Sequence, residues 1–170
     1  MNLKKNLVFL GMMGSGKSSI GYLVSRKLGL PFIDIDNLIE KEAGTSISEI
    51  FKKKGEEYFR NLEEKITLKI LKNIGVVISL GGGGFINDKI RKEVLTKHFS
   101  FWLDLNESVL LQRIATNKKR PLALESTDQE IKQLIKKRSK IYSKAQFKIN
   151  CNKLTKTEIV KKIIKIYEFN

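Results

Sequence analysis

Gly11-Met12-Met13-Gly14-Ser15-Gly16-Lys17-Ser18 is the stretch on which the reading of this chain turns. It has the spacing G-x-x-x-x-G-K-[ST] of a phosphate-cradling loop. Three glycines let the backbone curl until successive N–H groups point into one concavity, a geometry that suits an anion. Lys17 adds a mobile positive charge for β- and γ-phosphates, and the Ser18 hydroxyl is placed to ligate a magnesium ion. A helix opening here would turn its unpaired N–H groups and positive dipole end toward the same phosphates.

The flanks fit that reading. Asn6 to Leu10 is a short apolar run that predicts a buried strand, and Ile20 to Leu28 keeps helical periodicity until Gly29. Strand, glycine loop and helix therefore follow in the required order. The motif speaks for a nucleoside triphosphate and says nothing of what receives the phosphate.

Composition narrows the class. The chain has 170 residues, 41% hydrophobic and 30% charged, which suits one globular domain over 1–170. No apolar run reaches membrane-spanning length, and the few residues before Leu7 are too short for a signal peptide. The lone Cys151 has no internal partner, as in a reducing cytoplasm, and reads as a small buried hydrophobe at a strand end. One His and one Cys exclude a structural zinc site. The formal net charge of +15 would suit nucleic acid, but also anionic small molecules. Lysines supply 27 of the 33 basic residues and lie scattered without interleaved aromatics, so they read as solvated helix surface. The six arginines, Arg26, Arg60, Arg91, Arg113, Arg120 and Arg138, are scarce and hence informative.

Along the chain, Pro31 to Asp36 reads as a second strand ending in two acids, with a helix from about Leu38 to Ala43. Ser46-Ile47-Ser48-Glu49 has the form of a capping box for a short helix ending near Gly55, and Glu56 to Asn73 is a long amphipathic helix. Val76 to Leu80 is an apolar, β-branched run running straight into four glycines. Asn87 caps a helix over Asp88–Lys97, Phe99 to Leu105 is the fourth strand, and a helix follows from Glu107 to about Ile114. Ala115 to Ser126 has no periodicity and carries Lys118-Lys119-Arg120-Pro121, a polar loop and candidate lid. Thr127 with Glu130, and Thr155 with Glu158, open two more helices around a fifth strand at Phe147–Cys151. Strands alternating with helices predict an α/β fold with a parallel sheet covered on both faces. Ligands bind such sheets beyond the carboxyl ends of the strands, which gathers the Gly11 loop, Asp34, Asp36 and the Gly81 run on one edge. The alternation Ile33-Asp34-Ile35-Asp36 predicts that both acids point to one side of a strand end.

Taken in order, GMMGSGKSS, FIDID, EYFRNLEE, SLGGG, KKRPL and KKRSKIY resemble the shikimate kinases over nearly the whole chain. The resemblance implies a three-layer α/β/α P-loop NTPase with a five-stranded parallel sheet, of the nucleoside-monophosphate-kinase-like type. It implies transfer of the ATP γ-phosphate to the 3-hydroxyl of shikimate in aromatic amino-acid biosynthesis, with Mg²⁺. The partners would be ATP and shikimate, with no nucleic acid or membrane, for a monomer in the cytoplasm. Gly14, Ser15, Gly16, Lys17, Ser18, Ser19 and Arg120 would bind ATP, and Ser18 and Asp34 would serve the metal. Asp36 would accept the substrate hydroxyls and the reacting proton, with Lys17 and Arg120 the other catalytic groups. Arg60 and Arg138 would hold the substrate carboxylate, which calls for a planar, bidentate cation, and Gly81, Gly82 and Gly83 would approach the acid through bare backbone. A helical segment at about 37–63 would carry substrate contacts, and Arg120 in the lid would close over the phosphates.

Glu63, one turn from Arg60, either orients that arginine or forms an ordinary surface pair. Arg113 is open between the nucleotide side and the surface. Ser19 stands where threonine is common, Gly84 where a side chain is usual, and Ala123 where a second leucine usually follows Leu122. No adenine contacts are carried over to Cys151, Asn152 or Lys153. The rival readings are another small P-loop kinase, for a sugar acid or a nucleotide, and a nucleic-acid-binding P-loop protein suggested only by charge.

Overall fold

In the computed structural model, residues 5–116 and 126–170 are described, so residues 117–125 of the candidate lid, Arg120 among them, lie outside the described residues. Strand β1 (Leu7–Leu10) leads through the glycine loop into α1 (Lys17–Leu28), and β2 (Phe32–Asp34) into α2 (Ile35–Ala43) and α3 (Ile47–Leu71). Strand β3 (Val77–Ser79), a 3-10 turn over Gly84–Ile86 and α4 (Asp88–Lys97) follow. Strand β4 (Phe99–Asp104), α5 (Glu107–Ala115), α6 (Asp128–Tyr142), β5 (Phe147–Asn150) and α7 (Lys156–Glu168) complete the chain.

The strands form one parallel sheet in the order β2-β3-β1-β4-β5. Strand β1 is central, and its alternation divides the core. Val8 and Leu10 join Ile78, Leu80 and Trp102 under the helices from α2 to α6. Leu7 and Phe9 join Val77, Phe101 and Ile149 under α1 and α7. Side chains of period two thus face opposite helical layers, and the central strands are buried on both sides. The three-layer α/β/α architecture is the one expected.

Several helix ends are set by local chemistry. Thr127 with Glu130, and Thr155 with Glu158, form reciprocal capping boxes. The Asn87 side chain accepts from the Lys89 and Ile90 amides while donating to Glu64 at 2.7 Å, tying α4 to α3. The break expected near Gly55 is present as a kink: Gly55 has φ 80° and ψ 172° inside α3, separating the turns before it from those carrying Arg60 and Glu63.

One expectation is corrected here. The second strand stops at Asp34, and Asp36 lies in the first turn of α2 rather than on the strand. Asp34 is the cap, its side chain accepting from the Asn37 amide at 3.2 Å. Ile35 and Ile39, both fully buried, face the core at helical spacing. The two acids therefore differ in direction because one caps a helix and the other rides on it. Neither is placed by strand alternation.

Candidate active site

The glycine loop is built as its spacing predicts. Gly11, Gly14 and Gly16 all have positive φ, at 142°, 79° and 92°. At Gly11 a Cβ would also come within 2.8 Å of the Leu103 carbonyl, so the turn needs glycine twice over. Lys17 opens α1 and is buried, its Nζ donating to the Gly11 and Met12 carbonyls at 2.9 Å each. The ammonium is thus drawn back across the loop that precedes it. Ser18, one residue on, is exposed and donates to Asp34 Oδ2 at 2.5 Å. Two hard oxygen donors meet at the N-terminus of α1, a set suited to magnesium. Ser19 is half-buried on the same first turn.

Arg113 comes from α5 to donate from NH1 to the Gly14 carbonyl at 3.0 Å. It is exposed, and this bond puts it beside the glycine loop. A small cleft beside it is lined by Ser15, Gly16, Arg113, Cys151 and Leu154. Burial pushes the Cys151 thiol up to about 11, so it packs as an inert apolar group, as the sequence reading had it.

Next to the loop is a cavity of about 40 Å³. Its polar lining is Asp36, Arg60, Glu63 and Arg138, and Met13, Ile47, Phe51 and Phe59 form the apolar side. Arg60 NH1 donates to Glu63 Oε2 at 2.7 Å, and its Nε and NH2 both reach Glu56 Oε1 at 3.2 Å. Glu63 is 2% exposed, so it is no surface pair; it orients Arg60 from beneath. Burial raises the Glu63 carboxyl, with Arg60 pulling it down and Asp36 adding to the rise. Burial also acts to lower the Arg60 pKa, but Glu63 and Glu56 together outweigh it and hold the guanidinium above its ordinary value.

Arg138, 8% exposed, projects from α6. Tyr142, one turn further on, donates its hydroxyl to the Gly82 carbonyl. Burial pushes the Tyr142 phenol up to about 12, so it stays a proton donor.

The glycine run explains itself sterically. A Cβ at Gly81 would sit 2.6 Å from both Asp36 Oδ1 and Glu63 Oε1, and one at Gly83 would sit 2.8 Å from Arg60 Cζ. A Cβ at Gly82 would lie 3.4 Å from the Met13 amide nitrogen and 3.5 Å from Arg138 NH1. Two carboxylates, two guanidiniums and the phosphate loop therefore converge on this one turn of backbone. Asp34, Asp36 and the three glycines are brought to one edge, as expected, and Arg60 and Arg138 join Asp36 and the glycines there; Arg120 lies outside the described residues. The apolar lining residues and Tyr142 were not singled out in the sequence as site residues. Met13, Phe59 and Tyr142 fall inside the motifs quoted above, and nothing local marks Ile47 or Phe51 as lining.

A family model for shikimate kinase matches residues 13–168. The chain belongs to the shikimate kinase family. It is 42% identical over 165 residues to a shikimate kinase of Thermodesulfovibrio yellowstonii, covering 96% of this chain and 95% of that one. Among solved structures, a shikimate kinase from Acinetobacter baumannii in complex with shikimate superposes with a TM-score of 0.92 at 29% identity. That match covers 98% of this chain and 94% of the other. The shikimate kinase of Aquifex aeolicus gives 0.86 at 40% identity, over 96% of each chain. Family membership answers the rival reading of a small P-loop kinase for a sugar acid or a nucleotide. Among the described residues no helix is long and apolar enough to cross a membrane.

Proposed function

We propose that this chain transfers the γ-phosphate of ATP to the 3-hydroxyl of shikimate, giving ADP and shikimate 3-phosphate on the chorismate route to aromatic amino acids. One observation carries the assignment of acceptor. Arg60, Arg138 and Asp36 line a cavity that Met13 of the phosphate loop and Gly82 also line. A hydroxylated carboxylic acid matches that lining; a nucleotide base does not.

The roles follow from placement. Arg60 and Arg138 hold the carboxylate, and Glu63 fixes the plane of Arg60. Asp36 accepts the hydroxyl that attacks and takes its proton. Gly81, Gly82 and Gly83 keep the backbone close to the ring. Gly14, Ser15, Gly16 and Lys17 cradle the phosphates, with Ser19 on the same turn, and Lys17 can swing from the loop carbonyls to the transferring group. Ser18 and Asp34 would hold Mg²⁺, whose charge offsets that of the phosphates. Arg120, outside the described residues, would neutralise phosphate charge during transfer. The chain works in this reading as one kinase domain, a cytoplasmic monomer without nucleic-acid or membrane partners, its helical segment at about 37–63 contributing to the substrate site.

A coupled ADP-release assay against hydroxy acids, sugar acids and nucleotides tests the reading. ADP should appear with shikimate and stay near background with the others. Equal release with any nucleoside monophosphate would overturn it.

A further inference from the structure

Arg60 serves three claims at once. Its NH1 is bound by Glu63, 3% exposed at the side chain, at 2.7 Å, a distance normal for a charge-assisted bond. Its other edge, Nε and NH2, is bridged by a single oxygen of Glu56 at 3.2 Å to each nitrogen. Glu56 is 56% exposed at the side chain and lies one turn before Arg60 on the solvent side of the kinked helix. A guanidinium offers a carboxylate two bidentate edges, Nε with NH2 and NH1 with NH2. Glu63 already holds NH1, and a Cβ at Gly83 would fall within 3.0 Å of NH1, Cζ and NH2. A carboxylate can take the Nε–NH2 edge only if Glu56 lets go. The exposed, longer and bifurcated contact is the one that water can most readily replace.

We propose that Glu56 is an internal stand-in for the substrate carboxylate: it holds the Nε–NH2 edge of Arg60 in the ligand-free protein and is displaced when the acid binds. This rests on the reading of Arg60 as a carboxylate receptor. Glu63 then keeps the guanidinium in plane throughout, while Glu56 keeps it from collapsing onto Asp36 before substrate arrives. Substrate affinity is reduced by the cost of that exchange. Glu56 is a positioning residue in this scheme, acting through Arg60.

Calorimetry with shikimate and with its neutral methyl ester tests this on wild type, Glu56→Gln, Glu56→Ala and Arg60→Lys, each checked for an unchanged circular dichroism spectrum. Both Glu56 variants should bind shikimate about two- to five-fold more tightly at low ionic strength, a gain that shrinks toward none at about 0.5 M salt. The ester, which has no charge to trade, should bind wild type and the Glu56 variants alike. Unchanged or weaker shikimate binding in the Glu56 variants overturns the exchange, as does an equal gain for the ester. Arg60→Lys separates the two levels. If it weakens shikimate while the Glu56 variants show no gain, only the exchange fails. If Arg60→Lys leaves shikimate affinity intact, the carboxylate reading itself falls.

Discussion

Arginine rather than lysine at positions 60 and 138 is the smallest feature on which the proposed function turns. The chain uses lysine almost everywhere else, and an ammonium is a point charge that cannot present two parallel N–H groups to a carboxylate. Arg60→Lys or Arg138→Lys should weaken shikimate by about 1.5–3 kcal/mol, the range for a lost charge-assisted hydrogen bond, and leave ATP affinity nearly unchanged. Calorimetry with each ligand checks this, and equal losses for both would remove the arginines from substrate recognition. His98 carries a separate residue-scale consequence. It is 6% exposed. Burial lowers its pKa, opposed by Glu93 and by a backbone hydrogen bond at Leu71 and helped by Lys97 and Lys5. The fold therefore prefers the neutral imidazole, so its contribution to stability is full above the unfolded value near 6.5 and is lost as pH falls below it. Melting temperature should drop between about pH 7 and 5.5 more steeply in wild type than in His98→Phe. Parallel curves for the two would show that His98 does not titrate in that window.

Elements show what could be read from neighbours in sequence and what could not. The Gly55 break, the two threonine capping boxes and the Asn87 cap all rest on residues within four positions of each other, and all were legible. Ile33-Asp34-Ile35-Asp36 was not, because a four-residue alternation fits a strand end and a capped first turn equally well. Only the core behind Ile35 and Ile39 decides between them. Contacts that complete the site join distant segments: Tyr142 to Gly82, Arg113 to Gly14, Gly81 against Glu63 and Asp36. No local pattern encodes such pairs. The resemblance supplied the arginines and glycines, but it was silent on Glu56 and on the apolar wall. At this scale Gly55 is the most exposed to test. Its conformation is nearly restricted to glycine although nothing crowds a Cβ there. Gly55→Ala should cost about 1–3 kcal/mol of stability from backbone strain alone. Chemical denaturation measures this, and a loss below a few tenths would mean that the kink relaxes freely.

The whole molecule ties its nucleotide edge to its opposite end through the central strand. Asn6, fully buried just before β1, donates to the Asn73 carbonyl at 2.7 Å and accepts from the Val76 amide at 3.0 Å. It thereby fastens the α3–β3 turn to the strand that carries the phosphate loop. Asn6→Leu should leave the buried Val76 amide stranded, at about 1–3 kcal/mol, while ADP affinity of the folded protein persists. A variant as stable as wild type would show that water satisfies that amide. The proposed function rests at this scale on two acids at one strand-to-helix junction doing different work. Asp34 reaches back to Ser18, and Asp36 faces the cavity with Arg60 and Arg138. The direct measurement is phosphorus NMR of product formation from ATP and shikimate, with wild type, Asp36→Asn and Asp34→Asn followed across a magnesium titration. Wild type should yield one new phosphomonoester, on the 3-oxygen. Asp36→Asn should lower kcat by about 10²–10⁴ at every magnesium level, with MgADP affinity intact, and Asp34→Asn should need more magnesium for its activity. An Asp36→Asn enzyme within a few-fold of wild type, or one restored by excess magnesium, would contradict the division of labour on which the account stands.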